Sequence, residues 1–253
     1  LESLVPALTA RIADEQMPEH VRALDAPDIE RVTMIDATPI GANVRSTVAT
    51  YSGVLDDLRR LFARTEAAKA RGLTAGAFSY NTGSLRCPTC DGTGQITLDV
   101  QFLPDVDIDC PDCHGTRYSD EAGEITWEPK GGHAPVSLPD LLAMTVDEAR
   151  EVFAGTSQRR LRAKLDTLHE LGIGYMTLGE STPALSGGEA QRLKLASEMG
   201  RAQEGTLFVF DEPTIGLHPL DVRTLIGVFQ KLIDHGASVL VIEHDLDMIA
   251  NAD

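Results

Sequence analysis

Two pairs of cysteines constrain this sequence more than any other feature. The stretches CPTC and CPDC form CxxC motifs on either side of residues 91–109, and they contain all 4 cysteines of the chain: Cys87, Cys90, Cys110 and Cys113. Two such pairs can place four thiolates around one tetrahedral ion, most often Zn²⁺. Two disulfides or unrelated thiols are the alternatives. Because four thiolates leave no open coordination position, the pattern predicts a structural metal site.

The stretch between the two cysteine pairs predicts a hairpin. QITLDVQF and DVDID alternate apolar and polar residues, which favours two strands that turn near Pro104. Gly92, Gly94 and Gly115 follow the cysteines and permit tight turns. The stretch is also acidic, whereas a module that binds the phosphates of nucleic acid usually carries Lys and Arg.

The charge of the chain limits its partners. A net charge of −17 argues against a general affinity for nucleic acid or anionic lipid. Positive charge is concentrated in residues 45–71 and in QRRLRAK at 158–164, although solvated helix faces are an alternative interpretation of both.

No apolar run reaches the length of about 18 residues that a membrane span requires. The start, LESLVPALTARIADE, lacks a signal peptide and resembles the interior of a longer protein. We expect a cytoplasmic location and no membrane partner.

The pattern of apolar residues predicts an α/β fold. TLFVFDEP and SVLVIEHD are short apolar runs on either side of the amphipathic stretch DVRTLIGVFQKLIDHG, which indicates a βαβ unit with buried parallel strands. RVTMID predicts another strand, and EITWEPKGGHAPVS a strand and a loop. VLDDLRRLFARTEAAKARG predicts an amphipathic helix that ends at Gly72, and residues 139–175 are expected to be helical.

Three motifs indicate nucleotide chemistry. Asp211 and Glu212 end a predicted strand, where ligand sites of open α/β sheets lie. The first acid is placed to hold Mg²⁺, and the second to orient or deprotonate an attacking water. His244 ends the next strand and could contact a phosphate. Upstream, LSGGEAQR places Ser186, Gly187 and Gly188 at the start of a helix, where backbone N–H groups favour an anion.

Together these motifs resemble the ATP-binding cassette superfamily. LSGGE is similar to its signature, Asp211–Glu212 to its Walker B pair and His244 to its switch histidine. The stretches ATPIGANVRSTVATYSGV, GIGYMTLG and DEPTIGLHPLD, which includes His218, are similar in the same order to the second half of UvrA-like excinuclease subunits. This resemblance implies a truncated ATP-binding core at residues 1–35 and 201–253. It places a helical signature domain at 36–200, with a four-cysteine zinc module inserted at about 79–118.

The resemblance also implies a function. It predicts a homodimeric sensor of DNA damage for nucleotide excision repair, which hydrolyses ATP with Mg²⁺ and loads a UvrB-type partner. Glu212 and His244 would be catalytic. The nucleotide would be shared with the other cassette of the same chain and contacted by Asp211, Ser186, Gly187, Gly188 and Gln191. Double-stranded DNA with lesions would be bound by Arg45, Lys69 and Arg71.

Three departures from the family pattern keep other functions open. No lysine is followed by Ser or Thr, so the chain has no P-loop and is expected to be inactive alone. Ala37 stands where the family has Gln, and Thr82 and Thr116 stand where it has lysines. A UvrA-like paralogue for resistance to DNA-intercalating drugs and a non-catalytic zinc-containing DNA or protein interaction module are the alternatives. A transporter ATPase is disfavoured by the zinc module and by His218.

Overall fold

The computed structural model describes residues 1–98, 106–129, 134–217 and 219–252, apart from the side chains of residues 219–221. The chain divides into two compact units. Unit 1 comprises Leu1–Thr38, Glu170–Gly172 and Ser186–Asp253, and unit 2 comprises Pro39–His169 and Ile173–Leu185. Residues 186–200 fall in unit 1, and the signature domain that the resemblance implies over 36–200 stays a prediction.

Most of the described helices are short. In chain order they are α1 Leu4–Ile12, α2 Val48–Tyr51, α3 Val54–Phe62, α4 Glu66–Ala70, α5 Asp120–Gly123, α6 Leu138–Ala143, α7 Val146–Phe153, α8 Arg159–Glu170, α9 Gly187–Met199, α10 Pro219–Asp234 and α11 Leu246–Ile249. The strands are β1 Arg31–Ile35, β2 Gln95–Leu98, β3 Val106–Asp109, β4 Thr126–Trp127, β5 Val136–Ser137, β6 Thr206–Asp211 and β7 Ser238–Ile242. In the part of the chain that the structure describes, no helix combines the length and the apolar character needed to cross a bilayer.

The core of unit 1 is a parallel sheet. Its described strands are β1, β6 and β7, with β6 in the middle. All residues of β6 except Asp211 are buried. β-branched and aromatic side chains suit a strand that is covered on both faces. α10 joins β6 to the parallel strand β7, which confirms the predicted βαβ unit. The expectation that both strands are buried is correct for β6 only, because every residue of β7 is exposed or half-exposed.

Both faces of β6 are covered by a helix. Successive residues of a strand point to opposite faces. Leu207 and Val209 pack with Leu8 of α1. Phe210 lies on the other face, where its ring centroid is 4.4 Å from that of Phe229 in α10. This two-sided packing fixes the direction in which the carboxyl end of β6 points.

Three short helices of unit 2, α2, α6 and α7, begin with capping boxes. Thr47, Ser137 and Thr145 each accept a hydrogen bond from the backbone of the first turn, and a side chain of that turn bonds back to the cap. Such caps help helices that are too short to be stable alone. The predicted amphipathic helix is present in two pieces, α3 and α4, and α3 buries Val54, Leu55, Leu58, Leu61 and Phe62. The single helix expected as far as Gly72 is interrupted after Phe62, because the side chain of Thr65 accepts a hydrogen bond from the backbone N–H of Ala68 and begins a new helix.

Two small antiparallel pairs complete unit 2. β2 and β3 form the predicted hairpin, with Gln95 opposite Asp109 and Leu98 opposite Val106. Its turn near Pro104 lies outside the described residues. β4 and β5 pair over two residues each, and Trp127 of β4 stacks on Phe153 with 5.0 Å between ring centroids.

Truncation of the aromatic face of β6 tests this packing. We expect Phe210→Ala to lower the free energy of unfolding by about 3–5 kcal/mol, because the ring is buried against Phe229. Ile233→Ala, at a position 45% exposed on α10, should cost about 1 kcal/mol or less. Urea unfolding followed by circular dichroism measures both. Equal losses would contradict the described burial of Phe210.

Candidate nucleotide edge and metal centre

The carboxyl ends of the three parallel strands in unit 1 carry acidic residues. Asp36 follows β1, Asp211 ends β6 with Glu212 next to it, and Glu243 follows β7. Parallel strands have their carboxyl ends at the same edge of a sheet, where ligands of open α/β sheets bind. The structure therefore brings the predicted pair Asp211 and Glu212 to an edge with two further carboxylates.

Helix α9 is fastened to this edge by Gln191. Its Nε2 donates to the main-chain oxygen of Ile35 at 3.0 Å and to that of Asp211 at 2.9 Å. The residue is 2% exposed, and its Oε1 has no hydrogen-bond partner among the described residues. Gln191 therefore joins the ends of β1 and β6. The sequence predicts a nucleotide contact for Gln191, whereas the structure engages its amide nitrogen with two main-chain carbonyls.

Lys194 makes a second link from α9 to the same edge. Its Nζ lies 2.6 Å from Oδ1 of Asp36 and 2.8 Å from Oγ1 of Thr38. Burial alone would raise the pKa of Asp36, but the hydrogen bonds from Lys194 and Thr38 outweigh it and lower that pKa. The sequence analysis missed Lys194, although its spacing from Gln191 puts both side chains on one face of the helix.

The Ser186–Gly188 corner begins α9. Ser186 Oγ accepts a hydrogen bond from the backbone N–H of Glu189, whose carboxylate in turn accepts the backbone N–H of Ser186 at 2.7 Å. A Cβ added to Gly188 would lie 2.9 Å from the main-chain oxygen of Ile215. The corner therefore lies beside the loop that follows Glu212, and this close approach requires a glycine at position 188.

Glu212 and His244 are brought together at the edge. Nδ1 of His244 lies 3.8 Å from Oε1 of Glu212, and the side chains are 81% and 47% exposed. Glu212 has a φ of 46°, a left-handed conformation that is uncommon outside glycine. Its N–H donates to the main-chain oxygen of Ile242 at 2.9 Å. This bond continues the β6–β7 ladder and holds Glu212 at the end of the sheet.

Glu243 is a buried carboxylate that the sequence analysis missed. Its side chain is 2% exposed and accepts hydrogen bonds from the hydroxyl and the backbone N–H of Thr214 and from the backbone N–H groups of His244 and Asp245. Burial alone would raise the pKa of Glu243, but these hydrogen bonds outweigh it and lower that pKa below its ordinary 4.5. Glu243 thereby ties the loop after β6 to the backbone of His244.

The four cysteines of unit 2 meet in one cluster. Their sulfurs all lie within 4.8 Å of one another, with 3.9 Å between Cys87 and Cys110 and 3.6 Å between Cys90 and Cys113. A disulfide requires about 2.05 Å, whereas four sulfurs at about 2.3 Å from a tetrahedral Zn²⁺ are separated by about 3.8 Å. The cluster therefore has dimensions that fit one metal ion and that disulfides do not match.

The surroundings of the sulfurs are shaped by the backbone. Burial, together with the neighbouring sulfurs of Cys90 and Cys110, raises the pKa of the Cys113 thiol to about 12. At Cys90, burial is outweighed by hydrogen bonds from backbone N–H groups and from neighbouring thiols, which lower the pKa of that thiol to about 7. Gly92 has a φ of 79°, and a Cβ at this position would lie 1.8 Å from the main-chain oxygen of Tyr80. Only glycine satisfies both conditions beside the first cysteine pair.

Arg117 is a buried guanidinium beside the second cysteine pair. It is 6% exposed and donates to the main-chain oxygens of Val44 at 3.0 Å and Thr93 at 2.6 Å, and to Ser181 Oγ at 2.7 Å. It also lies over the ring of Tyr80, 5.4 Å from the centroid. Burial lowers the pKa of this guanidinium. This one side chain therefore joins the metal module, the four-cysteine segment at about 79–118, to the segments of unit 2 that contain Val44 and Ser181.

The three cations predicted to face DNA are all ion-paired within unit 2. Arg45 lies 3.3 Å from a carboxylate oxygen of Asp91, and Lys69 lies 2.8 Å from Glu66. Arg71 contacts Glu121 and Glu124 at 3.4 and 2.8 Å. Their charges are thus balanced locally, which the sequence analysis does not anticipate because most of these partners are distant in the chain.

The hydrogen bonds of Glu243 predict a pH-dependent stability. Because its pKa is lowered on folding, its contribution is complete above pH 4.5 and is lost as the pH falls through the lower folded value. We expect Glu243→Gln to lower the free energy of unfolding by about 1–3 kcal/mol at pH 7, and this difference to shrink below pH 4.5. Denaturant titrations across this range measure it. Glu15→Gln, at an exposed position of unit 1, is the control. A pH-independent difference would contradict the lowered pKa.

Comparisons with known proteins agree with one another. No protein-family model matches the chain. The UvrABC system protein A of Bacillus subtilis is 46% identical over 236 residues, which cover 93% of this chain and 24% of that protein. The protein of the same name from Aquifex aeolicus is 46% identical over 240 residues, covering 94% and 25%.

A solved structure that is similar to this chain belongs to the same kind of protein. The crystal structure of UvrA2 from Deinococcus radiodurans superposes with a TM-score of 0.80 at 44% identity and covers 98% of this chain and 29% of that one. The chain spans about a quarter of the length of the curated relatives it matches. With this identity over more than nine tenths of its length, the chain belongs to the UvrA-like family of the ATP-binding cassette superfamily.

Proposed function

We propose that the chain is part of a UvrA-like ATPase that recognises DNA damage in nucleotide excision repair. The observation that carries this proposal is the edge of unit 1, where the ends of three parallel strands present Asp36, Asp211, Glu212 and Glu243 and where Gln191 fastens α9. Because the chain spans about a quarter of its relatives, the ATPase activity, the DNA substrate and the partners of the whole protein all belong to the proposal.

The proposal assigns roles to the residues at this edge. Asp211 would hold Mg²⁺, which neutralises charge on the transferred phosphate when it is bound. Glu212 would orient the attacking water and accept its proton. His244, whose Nδ1 is 3.8 Å from Glu212, would donate a hydrogen bond to a phosphate oxygen. Glu243 holds the backbone of His244 and of Thr214, so it acts as a positioning residue.

The start of α9 would contact a nucleotide that is seated on another cassette. Ser186, Gly187 and Gly188 present a hydroxyl and backbone N–H groups at a helix N-terminus, which favours an anion. In a UvrA-like protein the other cassette of the same chain would supply the P-loop. Gln191 holds the helix, since its Nε2 donates to the main-chain oxygens of Ile35 and Asp211. Its proposed contact with the nucleotide would fall to Oε1, which has no hydrogen-bond partner among the described residues.

Unit 2 would provide the contacts with DNA. The fold proposed for the whole chain is a truncated ATP-binding cassette core with a helical signature domain and an inserted four-cysteine zinc module. Arg45, Lys69 and Arg71 are exposed or half-exposed ion-pair partners, and such pairs contribute little to stability, so a carboxylate can be exchanged for a phosphate. A homodimer and a UvrB-type partner complete the proposed assembly.

A second candidate is a non-catalytic zinc-containing module that binds DNA or protein. It is favoured by Ala37, whose methyl group can neither hold a metal nor orient water. Ala37 lies against the Ser186–Gly188 corner, since a Cβ added to Gly187 would lie 3.1 Å from the Cβ of Ala37. Duplex binding by the intact protein without any ATP hydrolysis would support this candidate over the ATPase.

The metal prediction concerns the four sulfurs. We expect the purified chain to contain about one zinc ion, bound by Cys87, Cys90, Cys110 and Cys113 as thiolates. Cys110→Ser should lose most of the metal and unfold the module, because metal binding contributes directly to folding at such sites. Elemental analysis and thiol alkylation with and without a chelator measure this. Thr89→Ala, between the cysteines of the first pair, should keep the metal. Alkylation that does not depend on the chelator would contradict the prediction.

The ATPase prediction concerns Glu212. In the intact protein we expect Glu212→Gln to lower the rate of ATP hydrolysis by about 100-fold or more, as expected for loss of a general base, while lesion-containing duplex is still bound. Glu204→Gln, at an exposed position just before β6, should hydrolyse ATP at the wild-type rate. Phosphate release and fluorescence anisotropy measure the two properties. Equal rates in the two variants would rule out the proposed role of Glu212.

A further inference from the structure

Asp91 lies between two arginines of unit 2. One of its carboxylate oxygens is 3.3 Å from Arg45 Nη2, and the other is 3.0 Å from Arg86 Nη2. Arg45 also donates from Nη1 to the main-chain oxygen of Asp91 at 2.6 Å, and Arg86 donates from Nη1 to the main-chain oxygen of Asn81 at 3.1 Å. A single carboxylate thus bridges two guanidinium groups that the main chain holds in place.

This bridge borders an open polar cavity. The cavity has a volume of about 500 Å³ and is lined by Thr82, Gly83, Ser84, Arg86, Pro88 and Asp91. Thr82 and Ser84 are exposed and carry hydroxyl groups at the rim. The side chains of Arg45, Arg86 and Asp91 are 28, 38 and 58% exposed. The carboxylate that joins the two arginines is therefore open to solvent at the side of this cavity.

We propose that Arg45 and Arg86 form a phosphodiester-binding site which Asp91 occupies in the absence of nucleic acid. This inference rests on the proposed binding of DNA by unit 2. Guanidinium groups bind carboxylates and phosphates with the same planar geometry, so one anion can replace the other. The release of counterions from DNA favours the phosphate at low salt. Arg45 remains anchored by the main-chain oxygen of Asp91 when the carboxylate leaves.

The internal carboxylate has a consequence for selectivity. Every duplex must displace Asp91 before it gains the two arginines, so the bridge lowers the affinity of this site for every duplex, damaged or undamaged. A chain with a net charge of −17 already repels DNA as a whole. Asp91 therefore confines binding at this site to duplexes that other parts of the protein hold in place.

The test compares two substitutions that remove the same charge from the metal module. Asp91→Asn keeps the shape of the side chain, and Asn tolerates the φ of 52° at this position. Asp112→Asn is the matched control, because Asp112 accepts a hydrogen bond from Thr89 and no arginine contacts it among the described residues. Zinc content shows that both variants are folded. The measurement is the affinity of the intact protein for a fluorescent undamaged duplex over a range of salt concentrations.

We expect Asp91→Asn to raise the duplex affinity about tenfold at 0.1 M salt and to steepen the slope of log K against log salt by about one unit. Asp112→Asn should raise it about twofold or less. Adding Arg86→Met to Asp91→Asn should abolish the gain.

Three outcomes would overturn the inference or the function beneath it. Equal gains in Asp91→Asn and Asp112→Asn would attribute the effect to net charge, and the inference would fail. A gain that survives Arg86→Met would exclude Arg86 from the site. If neither the wild type nor Asp91→Asn binds duplex at any salt concentration, the proposed DNA binding itself is wrong. The last result is distinct from the first two, in which the wild-type protein binds.

Discussion

The parallel pairing of β1, β6 and β7 is the constraint on which the chemistry of unit 1 depends. In a parallel sheet all carboxyl ends lie at one edge, so residues that are far apart in the chain converge there without any direct attraction. Four of these residues are acidic, and such a concentration of charge requires compensation. Lys194 provides it for Asp36, and backbone N–H groups provide it for Glu243. The sheet thus leaves Glu212 and His244 exposed at its edge.

The metal module of unit 2 is stabilised in a different way. Its buried cluster consists of the four cysteines, with Ile96 packed against them, and the strands of its hairpin are largely exposed. An apolar core of this size contributes too little to fix a fold. Coordination of the proposed cation by the four thiolates would supply the missing free energy.

The sequence predicts the elements whose signal is local. The apolar runs of β6 and β7, the amphipathic helix α3 and the two cysteine pairs are all correct, because periodicity and spacing determine them directly. Contacts between residues that lie far apart in the chain produce no periodicity or spacing that the sequence could show. The bonds from Gln191 to main-chain carbonyls, and the ion pairs of Arg71 with Glu121 and Glu124, depend on how the segments pack. The attachment of α9 to the sheet through Gln191 is likewise a matter of packing.

Arg117 has a consequence for how loss of metal would spread. The guanidinium of Arg117 donates hydrogen bonds to the carbonyls of Val44 and Thr93 and to the hydroxyl of Ser181. Chelation of the proposed ion would therefore release Arg117 together with the second cysteine pair beside it. The segments around Val44 and Ser181 would then lose protection against amide hydrogen exchange, although neither contributes a ligand. Removal of the proposed ion would thus be felt well beyond the four sulfurs that bind it.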